Sequence, residues 1–183
     1  MSPSSTPRVR LATHDDLPAL RALIDRSVRG LSADVYDARQ IDSALVHVFG
    51  PDTRLIDDGT YYVIVDDGGA LLAGGGWSRR RTLFGGDQMK GVEDPLLDPA
   101  TEPARIRAFF VDPSAARRGL GRRLLETCRD AAAAAGFRSL ALAATLPGVP
   151  LYAALGFVEV ERFVQVMPDG VGLPLVRMTR GIA

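Results

Sequence analysis

The chain has 183 residues, 46% of them hydrophobic and 24% charged, enough for one domain with a full core and short for two. Its 22 basic and 22 acidic residues cancel, which argues against nucleic acid as a partner, since that binding rests on excess positive charge. The single cysteine, Cys128, excludes an intrachain disulfide and fits a reducing, cytoplasmic setting, and no apolar run reaches the roughly 18 residues a membrane span needs.

The polar, proline-bearing start MSPSSTP is expected to be a disordered lead-in over residues 1–7, with no secretory leader, and 8–183 to form one domain. VRLA (9–12) predicts a short strand. Thr13 then stands as an N-cap, with Asp15 and Asp16 complementing the helix dipole and Leu17, Leu20, Leu23 and Ile24 at helical spacing. A second helix is predicted over 38–49, where Ile41, Leu45 and Val48 repeat at i, i+4, i+7. Residues 61–65 and 70–78 read as a hairpin turned by Asp67-Gly68-Gly69. Within it Gly74-Gly75-Gly76 marks a bulge or a close backbone approach beside a ligand. Residues 84–101, rich in Gly, Asp and Pro, read as a long loop of the kind that often carries function.

RIRAFFV (105–111) is a strand halted by Asp112-Pro113. A helix follows over 119–135, its apolar face made by Leu120, Leu124, Leu125 and Cys128, with Gly136 as terminator. Residues 139–144 form a strand, 150–155 a short helix ending at Gly156, and 157–166 with 171–178 a closing strand pair. The order implies an α/β domain with a mixed sheet and no repeating βαβ array.

One stretch carries chemistry: DPSAARRGLGRRLL, residues 112–125. Two glycines at a helix start each cost about 1 kcal/mol against alanine, so stability alone does not choose them. Unpaired N–H groups at a helix N-terminus form an anion seat, and Arg117, Arg118, Arg122 and Arg123 raise the local potential. Gly119 and Gly121 let a pyrophosphate approach the backbone. The pattern is neither a Walker loop nor G-x-G-x-x-G.

Val111-Asp112-Pro113, then Gly119-x-Gly121 opening a helix, then Leu-Tyr-Ala-Ala-Leu-Gly-Phe at 151–157 together resemble the GCN5-related N-acetyltransferase (GNAT) superfamily. The resemblance covers 105–157 strongly and extends more loosely to VRLATHDDLPALRAL near the N-terminus. It implies a GNAT domain over 8–183: a mixed, largely antiparallel sheet flanked by helices, with splayed central strands forming an acyl-CoA cleft. It also implies acetyl-CoA or another short acyl-CoA as donor, no metal, and a primary amine of a small molecule or protein as acceptor. Pantetheine would lie along Phe109, Phe110 and Val111, and the pyrophosphate on Arg117, Arg118, Gly119, Leu120, Gly121 and Arg122. Tyr152 would protonate the departing thiolate as general acid. One position departs from the family: Ala116 stands three before Gly119, where a longer polar side chain is usual, so the seat is expected to depend on backbone amides. Homodimers are common in the family. A CoA-binding sensor without turnover is the alternative function, and an acyltransferase acting on charged tRNA a third, against which the neutral net charge counts.

No general base is assigned. Glu93, Asp94 and Glu102 are acidic candidates, His14 reads as a surface residue and His47 as packed, and a water chain would serve equally. Trp77-Ser78-Arg79-Arg80-Arg81 reads first as a solvated strand end. If it borders the acceptor pocket, its arginines, with Arg105 and Arg107, would favour an acceptor bearing a carboxylate or phosphate. Cys128 reads as core.

Overall fold

The structure, a computed structural model, describes residues 6–91 and 93–183, so most of the expected lead-in lies outside the described residues. Strand β1 (Arg8–Leu11) leads into a 3-10 turn, His14–Asp16, which Thr13 caps through a capping box. The Asp16 carboxylate accepts from the Thr13 N–H and from both Arg10 amino groups, each at 2.8 Å. Helix α1 (Leu17–Ser32) therefore begins four residues after the cap expected for it, with Pro18 in its first turn. Helix α2 (Ala38–His47) is capped by Asp37 and ends two residues short of the predicted boundary. A five-residue helix, α3 (Thr53–Asp57), capped by Asp52, was not expected; it is too short to show periodicity.

Strands β2 (Tyr61–Val65) and β3 (Leu71–Ser78) form the predicted hairpin. Among its described residues the long loop after β3 holds a 3-10 turn, Asp87–Met89, and a bridge between Arg80 and Leu96. Then come β4 (Ala104–Val111), α4 (Leu120–Ala134), β5 (Ser139–Thr145), α5 (Val149–Ala154), β6 (Val158–Val166) and β7 (Gly172–Gly181). The seven strands form one sheet in the order β1-β2-β3-β4-β5-β7-β6. Every pairing is antiparallel except β4 with β5. The expected mixed, largely antiparallel α/β architecture is the one observed.

Strand alternation divides the core between the two faces. On one side Ile24 and Val28 of α1, with Ile41 and Ala44 of α2, meet Leu173 and Leu175 of β7. On the other, Leu125, Cys128 and Ala132 of α4, with Tyr152 and Leu155, meet Ile106, Leu142, Val176 and Met178. The Tyr36 hydroxyl donates to the Pro174 carbonyl at 2.5 Å and accepts from the Leu146 N–H at 2.9 Å, fixing the turn that leads into α5. Cys128 is fully buried, as expected of a core residue.

Candidate active site

Strands β4 and β5 pair for two residues only, Ala104 with Leu140 and Arg105 with Ala141. Beyond that point they separate, because β4 carries a bulge. Its Ala108 and Phe109 oppose the single residue Gly75 of β3, and Ala108 takes the left-handed φ of 55°. The bulge is held from three sides. Tyr61 donates its hydroxyl hydrogen to the Ala108 carbonyl at 2.9 Å, and the Val111 N–H donates to Ser27 Oγ at 3.2 Å. The Phe109 ring lies against Gly75, where any Cβ would overlap it. Gly75 thus marks both expected features, the bulge opposite it on β4 and a close approach, made there by the Phe109 ring. Alternation then sends Phe109 toward Tyr152 on the α4 face and Phe110 toward Phe49 on the α1–α2 face, centroids 6.4 and 6.0 Å apart respectively.

The turn after β4 begins at Asp112, whose carboxylate accepts from the Ser114 N–H at 2.9 Å and pairs with Arg26. Arg117 (φ 60°) and Gly119 (φ 77°, ψ 9°) both adopt left-handed backbone. Gly119 is the N-cap of α4 and so lies just outside the helix predicted from it. No side chain caps α4, so its first N–H groups remain available at the positive end of the dipole. A Cβ on Gly119 would meet open space, whereas one on Gly121 would lie 3.0 Å from Leu151 Cδ2 of α5. Arg117 and Arg122 are exposed, line the cleft and make no ion pair among the described residues. Arg118 is exposed but outside the lining, and Arg123 turns away to donate to the Pro7 carbonyl.

Tyr152 lies on α5, its ring edge-on to Phe157 with centroids 5.7 Å apart. It is 9% exposed and lines the cleft, and its hydroxyl has no protein partner among the described residues. Burial pushes the phenol well above the usual tyrosine range, so it keeps its proton at neutral pH. The cleft, about 780 Å³, runs from the start of α4 past Phe109, Phe110, Val111 and Tyr152 to α1, residues 48–50 and residues 84–86. It therefore gathers Tyr152, Phe109, Phe110, Val111, Arg117, Gly119, Leu120, Gly121 and Arg122.

The acidic and histidine candidates lie elsewhere. Asp94 is buried, accepting from the Thr82 N–H at 2.8 Å, and Glu102 accepts from the Asp98 N–H at 2.8 Å. Glu93 is exposed outside the cleft lining. His14 pairs with Asp57 on the surface, and half-buried His47 lies 3.9 Å from Asp169. The arginines after β3 do not line the cleft either. Arg79 stacks over Trp77, Arg80 binds Asp58 through two bonds at 2.7 and 2.8 Å, and Arg81 faces Glu102. Arg105 spends its guanidinium on the Arg81 and Pro103 carbonyls.

Arg107 does reach the cleft, in a setting local patterns do not reveal. Its side chain is 1% exposed, 2.7 Å from Asp52 Oδ2 and 2.7 Å from the Gly85 carbonyl to which it donates. Asp52, fully buried, also pairs with Lys90, the only lysine in the sequence. Burial pulls the Arg107 guanidinium down, opposed by the Asp52 charge. This cluster ties the Phe84–Gly86 wall to β4. A lone lysine in a loop among arginines was its one sequence signal.

The comparisons with known proteins agree with this geometry. No curated protein matches the chain in sequence. Among solved structures, a GCN5-related N-acetyltransferase from Rhodopseudomonas palustris is 19% identical with a TM-score of 0.70, covering 97% of each chain. The PaiA N-acetyltransferase of Thermoplasma acidophilum, in complex with coenzyme A, is 13% identical with a TM-score of 0.66, over 97% of this chain and 99% of that one. YncA of Salmonella typhimurium, described as a putative acetyltransferase with its cofactor acetyl-CoA, is 18% identical with a TM-score of 0.62, over 98% and 95%. These likenesses establish the fold. The acetyltransferase (GNAT) family model matches residues 26–157, most of the chain including every element of the cleft from α1's second half to Tyr152, and the chain belongs to that family.

Proposed function

We propose that the protein is an acyl-CoA-dependent N-acyltransferase, moving an acetyl or other short acyl group to a primary amine. The observation that carries the reading is the convergence in one cleft of an uncapped helix start, a strand freed from its neighbour and a largely buried phenol whose hydroxyl makes no hydrogen bond among the described residues. Arg117, Gly119, Leu120, Gly121 and Arg122, with Arg118 at the rim, would hold the pyrophosphate; open space at Gly119 and unpaired guanidinium groups suit a diphosphate there. Phe109, Phe110 and Val111 would border the pantetheine. The Val111 N–H is engaged by Ser27, so amide pairing falls to earlier residues of the strand.

Bound acyl-CoA supplies an activated thioester. Tyr152, kept protonated by burial, gives a proton to the departing sulfur, a contribution of about 10²–10⁴-fold for a placed general acid. The coenzyme A and acetyl-CoA complexes among the similar structures support the same donor. We place the enzyme in the cytoplasm, where its single thiol stays reduced. The test is thiol release from acetyl-CoA with and without a panel of amines. Amine-dependent release is the expected result; tight CoA binding with no release for any amine would favour the sensor alternative.

A further inference from the structure

On the α1–α2 side of the splayed strands the cleft wall is made by Val28, Val48, Phe49, Phe84, Phe110 and Leu175. Phe49 and Phe110 meet edge to face at an interplanar angle of 76°, and Phe84 leans on Phe163 with centroids 5.8 Å apart. Among the described residues lining the cleft there is no aspartate, glutamate or histidine. The lining cations are Arg117 and Arg122 at the α4 mouth, and Arg107. Arg107 is balanced by Asp52 at 2.7 Å and Asp94 at 4.0 Å, and Lys90 pairs with Asp87 as well as Asp52, while Arg107 Nε and Nη1 make no hydrogen bond among the described residues. An ammonium entering this half of the cleft would leave water without meeting a carboxylate. A carboxylate would likewise meet, among the described residues, only a guanidinium whose charge Asp52 and Asp94 already balance; the free Arg107 N–H donors suit a neutral acceptor group better than a second anion. Either charge is disfavoured strongly in such surroundings.

Resting on the acyl-transfer reading above, we propose that the acceptor is an aromatic amine of low basicity, an arylamine, which enters neutral and lays its ring against Phe49, Phe84 and Phe110. The absence of a lining base then has a reason. Only about a thousandth of an amine with a lysine-like pKa of about 10.4 is neutral near pH 7.4, and a base must remove its proton before attack. An arylamine is already neutral. Its nitrogen lone pair forms the C–N bond, and the C–S bond breaks with its pair on sulfur. Tyr152 protonates that sulfur, and the proton shed by nitrogen passes through water to restore the phenol. The products are an N-aryl amide and free thiol, with no oxidant or further reactant.

The experiment measures thiol release by the full-length enzyme at saturating acetyl-CoA with 4-methylaniline, 2-phenylethylamine, putrescine and glutamate between pH 6 and 9. The expected result is a flat profile for 4-methylaniline and one rising about tenfold per pH unit for 2-phenylethylamine, following its neutral fraction. Putrescine and glutamate should give no release above buffer. Phe84→Ala should raise KM for 4-methylaniline by about tenfold or more while leaving the CoA dissociation constant unchanged, and the milder Phe84→Leu should do so less. A flat profile for 2-phenylethylamine, faster release with putrescine or glutamate, or an unchanged KM in Phe84→Ala would each overturn the proposal and leave acyl transfer standing. No release with any amine, despite CoA binding, would overturn both.

Discussion

Gly119 offers a clean perturbation of the proposed phosphate seat, because its effect is confined to backbone. Its φ of 77° lies in the left-handed region, and a Cβ there would meet nothing within 4 Å, so Gly119→Ala introduces strain without a clash. An L-residue in that conformation costs roughly 1–2 kcal/mol, and a β-branched valine more. The free protein relieves the strain by turning Gly119 out of this conformation, which misaligns the first N–H groups of α4. A bound pyrophosphate needs them realigned, so the strain reappears in binding. About 1–2 kcal/mol then corresponds to roughly a 5–30-fold weaker CoA dissociation constant for Gly119→Ala, and more for Gly119→Val. Gly121→Ala, with normal helical backbone, should act only through Leu151, whose tip lies 3.0 Å from the new Cβ and can swing away; a loss under about threefold is expected. Arg123→Ala should leave affinity within about twofold, since Arg123 turns toward Pro7. Isothermal titration of CoA against these variants decides the matter. Equal affinity in Gly119→Val and wild type would refute a backbone-built seat.

Three further outcomes are expected. Tyr152→Phe should lower kcat by about 10²–10⁴-fold with CoA affinity and melting temperature nearly unchanged, because the hydroxyl makes no hydrogen bond among the described residues; an unaltered kcat would remove the phenol from the chemistry. Asp52→Ala leaves buried Arg107 and Lys90 without the carboxylate they share and should cost about 3 kcal/mol, roughly 6–12 °C in Tm by calorimetry; a shift under about 2 °C would contradict a tightly coupled cluster. Asp58 is held below the usual carboxylate range by the Arg80 hydrogen bonds, so its contribution to stability is present above the unfolded pKa near 4 and lost as pH falls through the lower folded value. Asp58→Asn should therefore narrow the Tm difference between pH 6 and pH 3, and an identical pH profile would count against the pair.

The sequence was most legible where one residue type alone meets a local demand. Gly119 and Gly136 sit at left-handed positions at the two ends of α4, and glycine there is readable because other residues are strained. The bulge that opens the cleft is the opposite case. Its strained residue is Ala108, which has no preference for positive φ, and the signal appeared only on the partner strand, where Gly75 makes room for Phe109. The Asp52–Lys90–Arg107 cluster joins residues far apart in the chain, so no periodicity or spacing could report it. The same holds for Ser27, whose hydroxyl accepts from the Val111 N–H, on the strand expected to border the pantetheine. The motif makes Tyr152 legible in the sequence, whereas the place of its hydroxyl, with no hydrogen bond among the described residues, depends on the cleft assembled around it.

In the proposed enzyme one cleft seats a coenzyme A pyrophosphate at the start of α4 and presents its sulfur to Tyr152. A crystal structure of the protein with coenzyme A bound measures this directly. Phosphate oxygens are expected within hydrogen-bond reach, about 2.7–3.2 Å, of backbone nitrogens at the start of α4, and the Tyr152 hydroxyl within about 4 Å of the sulfur. Phosphates seated away from Gly119–Arg122, or a sulfur out of reach of Tyr152, would contradict it.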